Sequence, residues 1–234
     1  KPSPERLQEI RVPRQREAER EERRLRAKIQ ALQEAAYWRG YHDAMNEQQR
    51  EIWRERGVCD YLIDYYSLGY QTDYTLSWDG SQWTTPALTI PHYADDWQVS
   101  NVQYRLQQPP PGAGKYRQTK GLPAAMFRTE PDDELSGAVL VVEGAIKSIV
   151  LYQHLGRQFL GHDWRIVGIP SKMPSHAMIE QLADAEPVYL LLDPDAYVDG
   201  SVNRVAAKLG RDRVRVAKTP VKPDDLITMY GGSG

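Results

Sequence analysis

Two apolar runs constrain this chain more than any other feature. Ala138-Val139-Leu140-Val141-Val142 and Val188-Tyr189-Leu190-Leu191-Leu192 are short, nearly unbroken apolar runs. That is the pattern of strands buried on both faces. Such strands need cover above and below, and the segments between them can supply it. Residues 145–155 read as an amphipathic helix and 165–169 as a further strand. Residues 175–183 read as a helix with Ser175 as its N-cap, 201–209 as a helix stopped by Gly210, and 214–217 as a fourth strand. Strands alternating with helices imply a parallel sheet with helices on both faces from residue 137 onward.

Acidic residues stand at the carboxyl ends of these strands. The first runs into Glu143-Gly144 and the third into Asp193-Pro194-Asp195; Lys222-Pro223-Asp224-Asp225 follows the fourth. Ligands of open parallel sheets bind beyond the carboxyl ends of the strands. One Asp after a strand is ordinarily a turn former or helix cap, and Asp195 or Asp199 alone fits that role. Several carboxylates gathered at one poorly solvated edge repel, and are costly unless cations neutralise them. Hard oxygen donors suit Mg²⁺ or Mn²⁺, and Asp-x-Asp after a strand brings two carboxylates near one point. That is the chemistry needed to hold a triphosphate.

The first half is of a different kind. Residues 1–57 hold fourteen basic and eleven acidic residues, and the rest of the chain is net acidic. Residues 14–36 are good helix formers, Pro13 marks an expected helix start, and Leu25, Ile29 and Leu32 form one apolar stripe. Two readings fit: a solvated helix laced with i,i+4 ion pairs, or an arm that tracks a phosphate backbone. Tyr37, Trp38, Tyr41, Met45, Ile52 and Trp53 continue at helical spacing as core, up to a stop at Gly57, and a second helix is expected over 59–68. Residues 73–107 read as β-structure. Asp79-Gly80 turns a hairpin between Trp78 and Trp83, and strands are expected at 87–93 and 99–106. After a stiff Pro109-Pro110-Pro111-Gly112 loop comes a compact basic patch, Lys115-Tyr116-Arg117-Gln118-Thr119-Lys120.

Composition narrows the class. The 234 residues carry a formal net charge of -2 and one cysteine, Cys59, which excludes an intrachain disulfide framework and a zinc ribbon within this chain. The mean hydropathy is -0.64, and no apolar run approaches the length of a membrane-spanning helix. The first thirty residues are charged, unlike a signal peptide, so a cytoplasmic location is expected. The chain begins at Lys1 and ends in Gly-Gly-Ser-Gly, and is expected to be a fragment of something longer.

Val141-Val142-Glu143-Gly144-Ala145-Ile146-Lys147, Leu190-Leu191-Leu192-Asp193-Pro194-Asp195 and Lys222-Pro223-Asp224-Asp225-Leu226 resemble the three motifs of the TOPRIM domain, over residues 137–228. That domain is shared by bacterial-type primases, topoisomerases and some nucleases. The preceding segment chooses among them. Arg56-Gly57-Val58, Tyr66-Ser67-Leu68-Gly69-Tyr70, Ile90-Pro91, Val102-Gln103-Tyr104-Arg105, Lys115-Tyr116 and Ala125-Met126-Phe127 resemble the DnaG-type primase catalytic core. The likeness spans residues 50–228 and looks most like a phage or plasmid-encoded primase.

The resemblance implies an α/β fold, with an α+β N-terminal subdomain followed by a TOPRIM-type parallel-sheet subdomain. The expected divisions are 1–36 as a charged helical linker, 37–135 as the mixed subdomain and 136–234 as the metal-binding one. It implies template-directed RNA primer synthesis on single-stranded DNA from nucleoside triphosphates, with Mg²⁺ or Mn²⁺, and a replicative helicase fused or recruited. Glu143, Asp193 and Asp195 are the expected catalytic residues and, with Asp224 and Asp225, the expected metal ligands. Arg105, Lys115, Tyr116, Gln118, Lys120 and Lys147 are the expected contacts to nucleotide or template, joined by Arg117, with Lys172 also near the sheet's active edge. Two departures stand out: Gln118 replaces the family's Asn, and Lys222 is followed directly by Pro223, so the first Asp of the last motif is missing. A nuclease or topoisomerase fragment and a non-catalytic single-strand-binding module are the alternatives.

Overall fold

The computed structural model describes residues 4–94, 97–131, 134–156 and 164–230. Helix α1 (Pro4–Ala35) begins earlier than Pro13 predicts, with that proline inside it. Its apolar stripe is not left in solvent: Leu32 is buried, and Leu25 and Ile29 pack on the same cluster. Lys28 Nζ donates to the Gly121 carbonyl at 2.9 Å, tying the helix to the end of the basic patch. The helical spacing that continues from residue 36 is broken into α2 (Tyr37–Asp43) and α3 (Glu47–Arg54). The break is chemical. Asn46 accepts from the Gln49 amide at 3.0 Å, and the Gln49 side chain accepts from the Asn46 amide at 3.0 Å, a capping box that starts a new helix. Helix α4 (Asp60–Tyr65) is shorter than expected.

The next four strands form one antiparallel sheet in chain order: β1 (Gly69–Trp78), β2 (Ser81–Tyr93), β3 (Val99–Leu106) and β4 (Tyr116–Gln118). Asp79 and Gly80 both have positive φ, 49° and 74°, as a two-residue hairpin with the twist of its strands requires. The strand expected at 87–93 extends back to Ser81 because it pairs with β1 along that length.

The second sheet has the order β5-β7-β6-β8-β9, from β5 (Phe127–Arg128), β6 (Gly137–Glu143), β7 (Trp164–Ile169), β8 (Ala185–Leu191) and β9 (Val214–Val216). It is mixed rather than wholly parallel: β5 pairs antiparallel with β7, and the other four strands are parallel. Helices α5 (Ala145–Leu155), α6 (His176–Gln181), α7 (Pro194–Val198), α8 (Ser201–Leu209) and α9 (Pro223–Tyr230) complete it. On one face Val139, Val141, Val167 and Leu190 bury against Met178, Ala196, Val202 and Val205. On the other, Leu140, Val142 and Ile166 bury against Leu151, with Ile227 of α9 packed alongside.

The two sheets share a core. Ala145, Ile146, Ile149 and Val150 of α5 belong to the same buried cluster as Trp53, Tyr66, Leu88 and Ile90 of the first half. Phe127 is fully buried in that cluster while its backbone belongs to the second sheet, with its ring edge-on to Tyr66 (5.2 Å) and His92 (5.4 Å). The Tyr66 hydroxyl donates to the Thr129 carbonyl at 2.7 Å across the same seam.

His92 is 1% exposed, and burial pushes its imidazole down to about 4. The unfolded imidazole titrates near 6.5, so between those values the unfolded chain takes up a proton that the folded chain refuses. The stability contributed above the unfolded value is lost as pH falls toward the folded one, at about 1.4 kcal/mol per pH unit. Urea midpoints measured across that window should fall more steeply for the wild type than for His92→Gln; equal slopes would contradict the assignment. A second prediction concerns Gly168 on β7. A Cβ there would lie 2.6 Å from the Gly144 oxygen and 2.8 Å from Ser148 Oγ. Because a backbone atom is the obstacle, Gly168→Ala should cost about 1–3 kcal/mol in chemical denaturation.

Candidate active site

Strand β6 is the point where the sheet changes direction. The connection through α5 leads to β7 on one side, and β8 lies on the other. A crevice opens beyond the strand ends at such a switch point. Glu143 is the last residue of β6. The chain turns at once through Gly144 (φ 92°), whose amide donates to the Ile169 carbonyl at 2.7 Å. Gly168 leaves room for this turn, so a residue of β7 sets where the Glu143 backbone goes.

Asp193 lies just past β8, at the N-cap position of α7, with Pro194 at the first helical position. Its carboxylate makes no capping bond. Asp199, at the far end of α7, instead accepts through Oδ1 from the amide of Ser201, the first residue of α8, at 2.9 Å. Asp193 is 8% exposed, and Lys147 Nζ lies 2.7 Å from its Oδ1 and 2.8 Å from its Oδ2. Asp195, two residues on, is exposed and accepts from Lys172 at 2.8 Å; Lys172 also pairs with Asp199. Those bonds raise the Lys172 ammonium and hold the Asp195 and Asp199 carboxyls below the usual range.

One ligand oxygen each from Glu143, Asp193 and Asp195 all lie within 4.8 Å of one another. Among the described residues no other group of three His, Cys, Asp or Glu side chains converges in this way. Glu143 is half-buried and its Oε2 is buried without a hydrogen-bond partner. Burial, then the neighbouring Asp193, pushes its carboxyl upward. An orphaned carboxylate oxygen beside two further carboxylates fits a hard divalent cation such as Mg²⁺ or Mn²⁺. Asp224 stands outside this trio, in the first turn of α9. It is half-buried, and burial raises its carboxyl while Lys147 opposes the rise. Asp225 is exposed beside it.

The basic residues divide between the two faces of the first sheet. Arg105 of β3 pairs directly with Tyr116 of β4, and Gln103 with Gln118, so Arg105, Tyr116 and Gln118 share one face. Tyr116 is 41% exposed. Lys115 and Lys120 are exposed in the segments flanking β4. Arg117 points the other way, with its guanidinium 5.7 Å from the Trp78 ring, so it does not join Arg105 as expected. Lys147 is placed in the first turn of α5 with its ammonium on Asp193.

Arg56 joins the site without having been assigned a role from sequence. Its Nε is buried with no hydrogen-bond partner, and its charge feels Arg105, Tyr116 and Asp224. Burial, then Arg105, lowers its guanidinium. The signal was the Arg56-Gly57 pair: the left-handed Gly57 (φ 80°) ends the α3 segment just after the arginine. Arg56 and Asp224 thereby connect the basic face to the acidic strand ends.

No family model and no curated protein matches the chain. Solved structures do. A DnaG primase catalytic domain bound to single-stranded DNA is 14% identical, with 89% of this chain aligned to 79% of that one at a TM-score of 0.65. The RNA polymerase domain of Mycobacterium tuberculosis primase DnaG is 16% identical, over 88% of this chain and 80% of that one, TM-score 0.62. The Aquifex aeolicus primase structure with its zinc-binding and RNA polymerase domains is 16% identical, over 80% of this chain, TM-score 0.61. The chain spans about half the length of that structure, 53%. Its fold is that of a DnaG-type primase catalytic core.

Proposed function

We propose that this chain is the catalytic core of a DNA primase, a nucleotidyltransferase that builds short RNA primers on single-stranded DNA. One observation carries the reading. Three carboxylate oxygens converge at the switch point of the second sheet, and the half-buried Arg56 feels both the like charge of Arg105 and the carboxylate of Asp224. A half-buried guanidinium that feels a like charge is favoured by an anion, and a triphosphate is an anion that also brings a divalent cation to the carboxylates.

Glu143, Asp193 and Asp195 are the residues that would hold Mg²⁺ or Mn²⁺, with Asp224 and Asp225 next to them. When bound there, the cation would neutralise the triphosphate and acidify the primer's attacking 3′-hydroxyl. Arg56 and Arg105 donate to the phosphate oxygens and fix the nucleotide by charge-assisted hydrogen bonds. Tyr116 offers an exposed ring on the same face for a base to stack on, and Gln118 a side-chain amide. Lys115 and Lys120 meet the template backbone as solvated point charges. Orientation of two nucleotides on one template accounts for much of the rate in such a reaction, because the protein has little covalent chemistry to perform. A replicative helicase would supply the single strand, which sets the work in the cytoplasm at a replication fork.

Incubation with a single-stranded template, labelled ribonucleotides and Mn²⁺ tests the proposal, with extension of a supplied primer alongside initiation. Template-dependent RNA should form and fall about 10²–10³-fold in Glu143→Gln and in Asp195→Asn. Cleavage of the DNA would instead indicate a nuclease, and binding without either reaction a single-strand-binding module. The basic face has its own test. Lys115→Ala combined with Lys120→Ala should reduce the slope of log affinity against log salt for an oligodeoxynucleotide by about 1.4, from about 0.7 per phosphate contact. An unchanged slope would remove both lysines from the template path.

A further inference from the structure

Lys147 is the most enclosed cation at the acidic edge. Its side chain is 14% exposed, and that of its partner Asp193 is 11% exposed. The ammonium straddles the carboxylate, 2.7 Å from Oδ1 and 2.8 Å from Oδ2. That is the position a cation bound through both oxygens would take. Asp224 stands outside the converging trio, in the first turn of α9.

Lys172 differs. It reaches Asp195 and Asp199 from the rim, where Asp195 is 68% exposed, and solvent can replace it when a metal ion arrives. Displacing Lys147 would strand an ammonium in a nearly closed place, and a buried unpaired charge is strongly unfavourable.

We propose that Lys147 is a tethered cation in the place of a second divalent ion. The edge then takes one ion, on Glu143, Asp193 and Asp195, and Lys147 rather than a second metal ion supplies the remaining positive charge at Asp193. The inference rests on the metal-dependent reading above and adds the number of ions and the residue that sets it.

Mn²⁺ titration of the full chain, read by electron paramagnetic resonance of the free ion, counts the sites. The wild type should bind one ion at the edge, Lys147→Arg one, and Lys147→Met two. Asp224→Asn should still bind one, which tests the same assignment without disturbing the lysine. Thermal melting in a chelator should show Lys147→Met less stable than the wild type, with Mn²⁺ closing the gap and Lys147→Arg largely free of the defect. Two ions on the wild type would overturn the role of Lys147 while leaving a metal-dependent site intact. One ion on a folded Lys147→Met would overturn it too. No ion on the wild type would overturn both this inference and the metal reading beneath it.

Discussion

Helix α5 is packed into two cores, and the arrangement of the site depends on it. Ile146, Ile149 and Val150 face the first half, while Leu151 covers the second sheet. The same helix begins at Glu143-Gly144 and carries Lys147 in its first turn. Its rotation and depth therefore set three things together: where the Glu143 backbone ends, how Lys147 meets Asp193, and how far the basic face of the first sheet stands from the acidic edge of the second. Interiors are packed densely enough that one of these cannot be moved without the others.

Charge explains the rest of the design. Four carboxylates gather at the edge, and the protein compensates them with two lysines of different kinds. The inner one is fixed by burial and by contact with both oxygens of one partner. The outer one is shared between two exposed partners and can leave. A bound ligand therefore meets an edge that is already stable without it, which is the condition for reversible binding of a highly charged molecule. Arg56 shows the opposite imbalance, since burial and then the neighbouring Arg105 disfavour its charge, and an anion would restore it.

Much of this was legible in the residues. The apolar runs of β6 and β8 revealed themselves because a doubly buried strand tolerates no polar interruption, and β3 and α8 fell at their expected bounds. The trio of Glu143, Asp193 and Asp195 followed from strand ends meeting at one edge. What failed to show has physical reasons. Strand β5 is two residues long and exists only because β7 lies beside it, so no local period marks it. The break between α2 and α3 rests on two hydrogen bonds of Asn46 and Gln49, set inside an otherwise continuous helical spacing. Arg56 and Lys147 could be seen as cations, but their partners are far away in the chain. Lys147 meets Asp193 across 46 positions, and no sequence period reports such a meeting.

The antiparallel strand β5 has a consequence for how this protein can be divided. Residues 127–128 precede the boundary expected near 135 yet hydrogen-bond to Val167 and Gly168 of the second sheet. A second half produced alone from residue 136 would leave β7 as an open edge, with backbone donors and acceptors facing solvent and the Phe127 packing gone. Open edges of this kind pair with other copies. The first half thus covers the β7 edge of the sheet that bears the acidic trio, and residues 127–128 are the point at which it holds on.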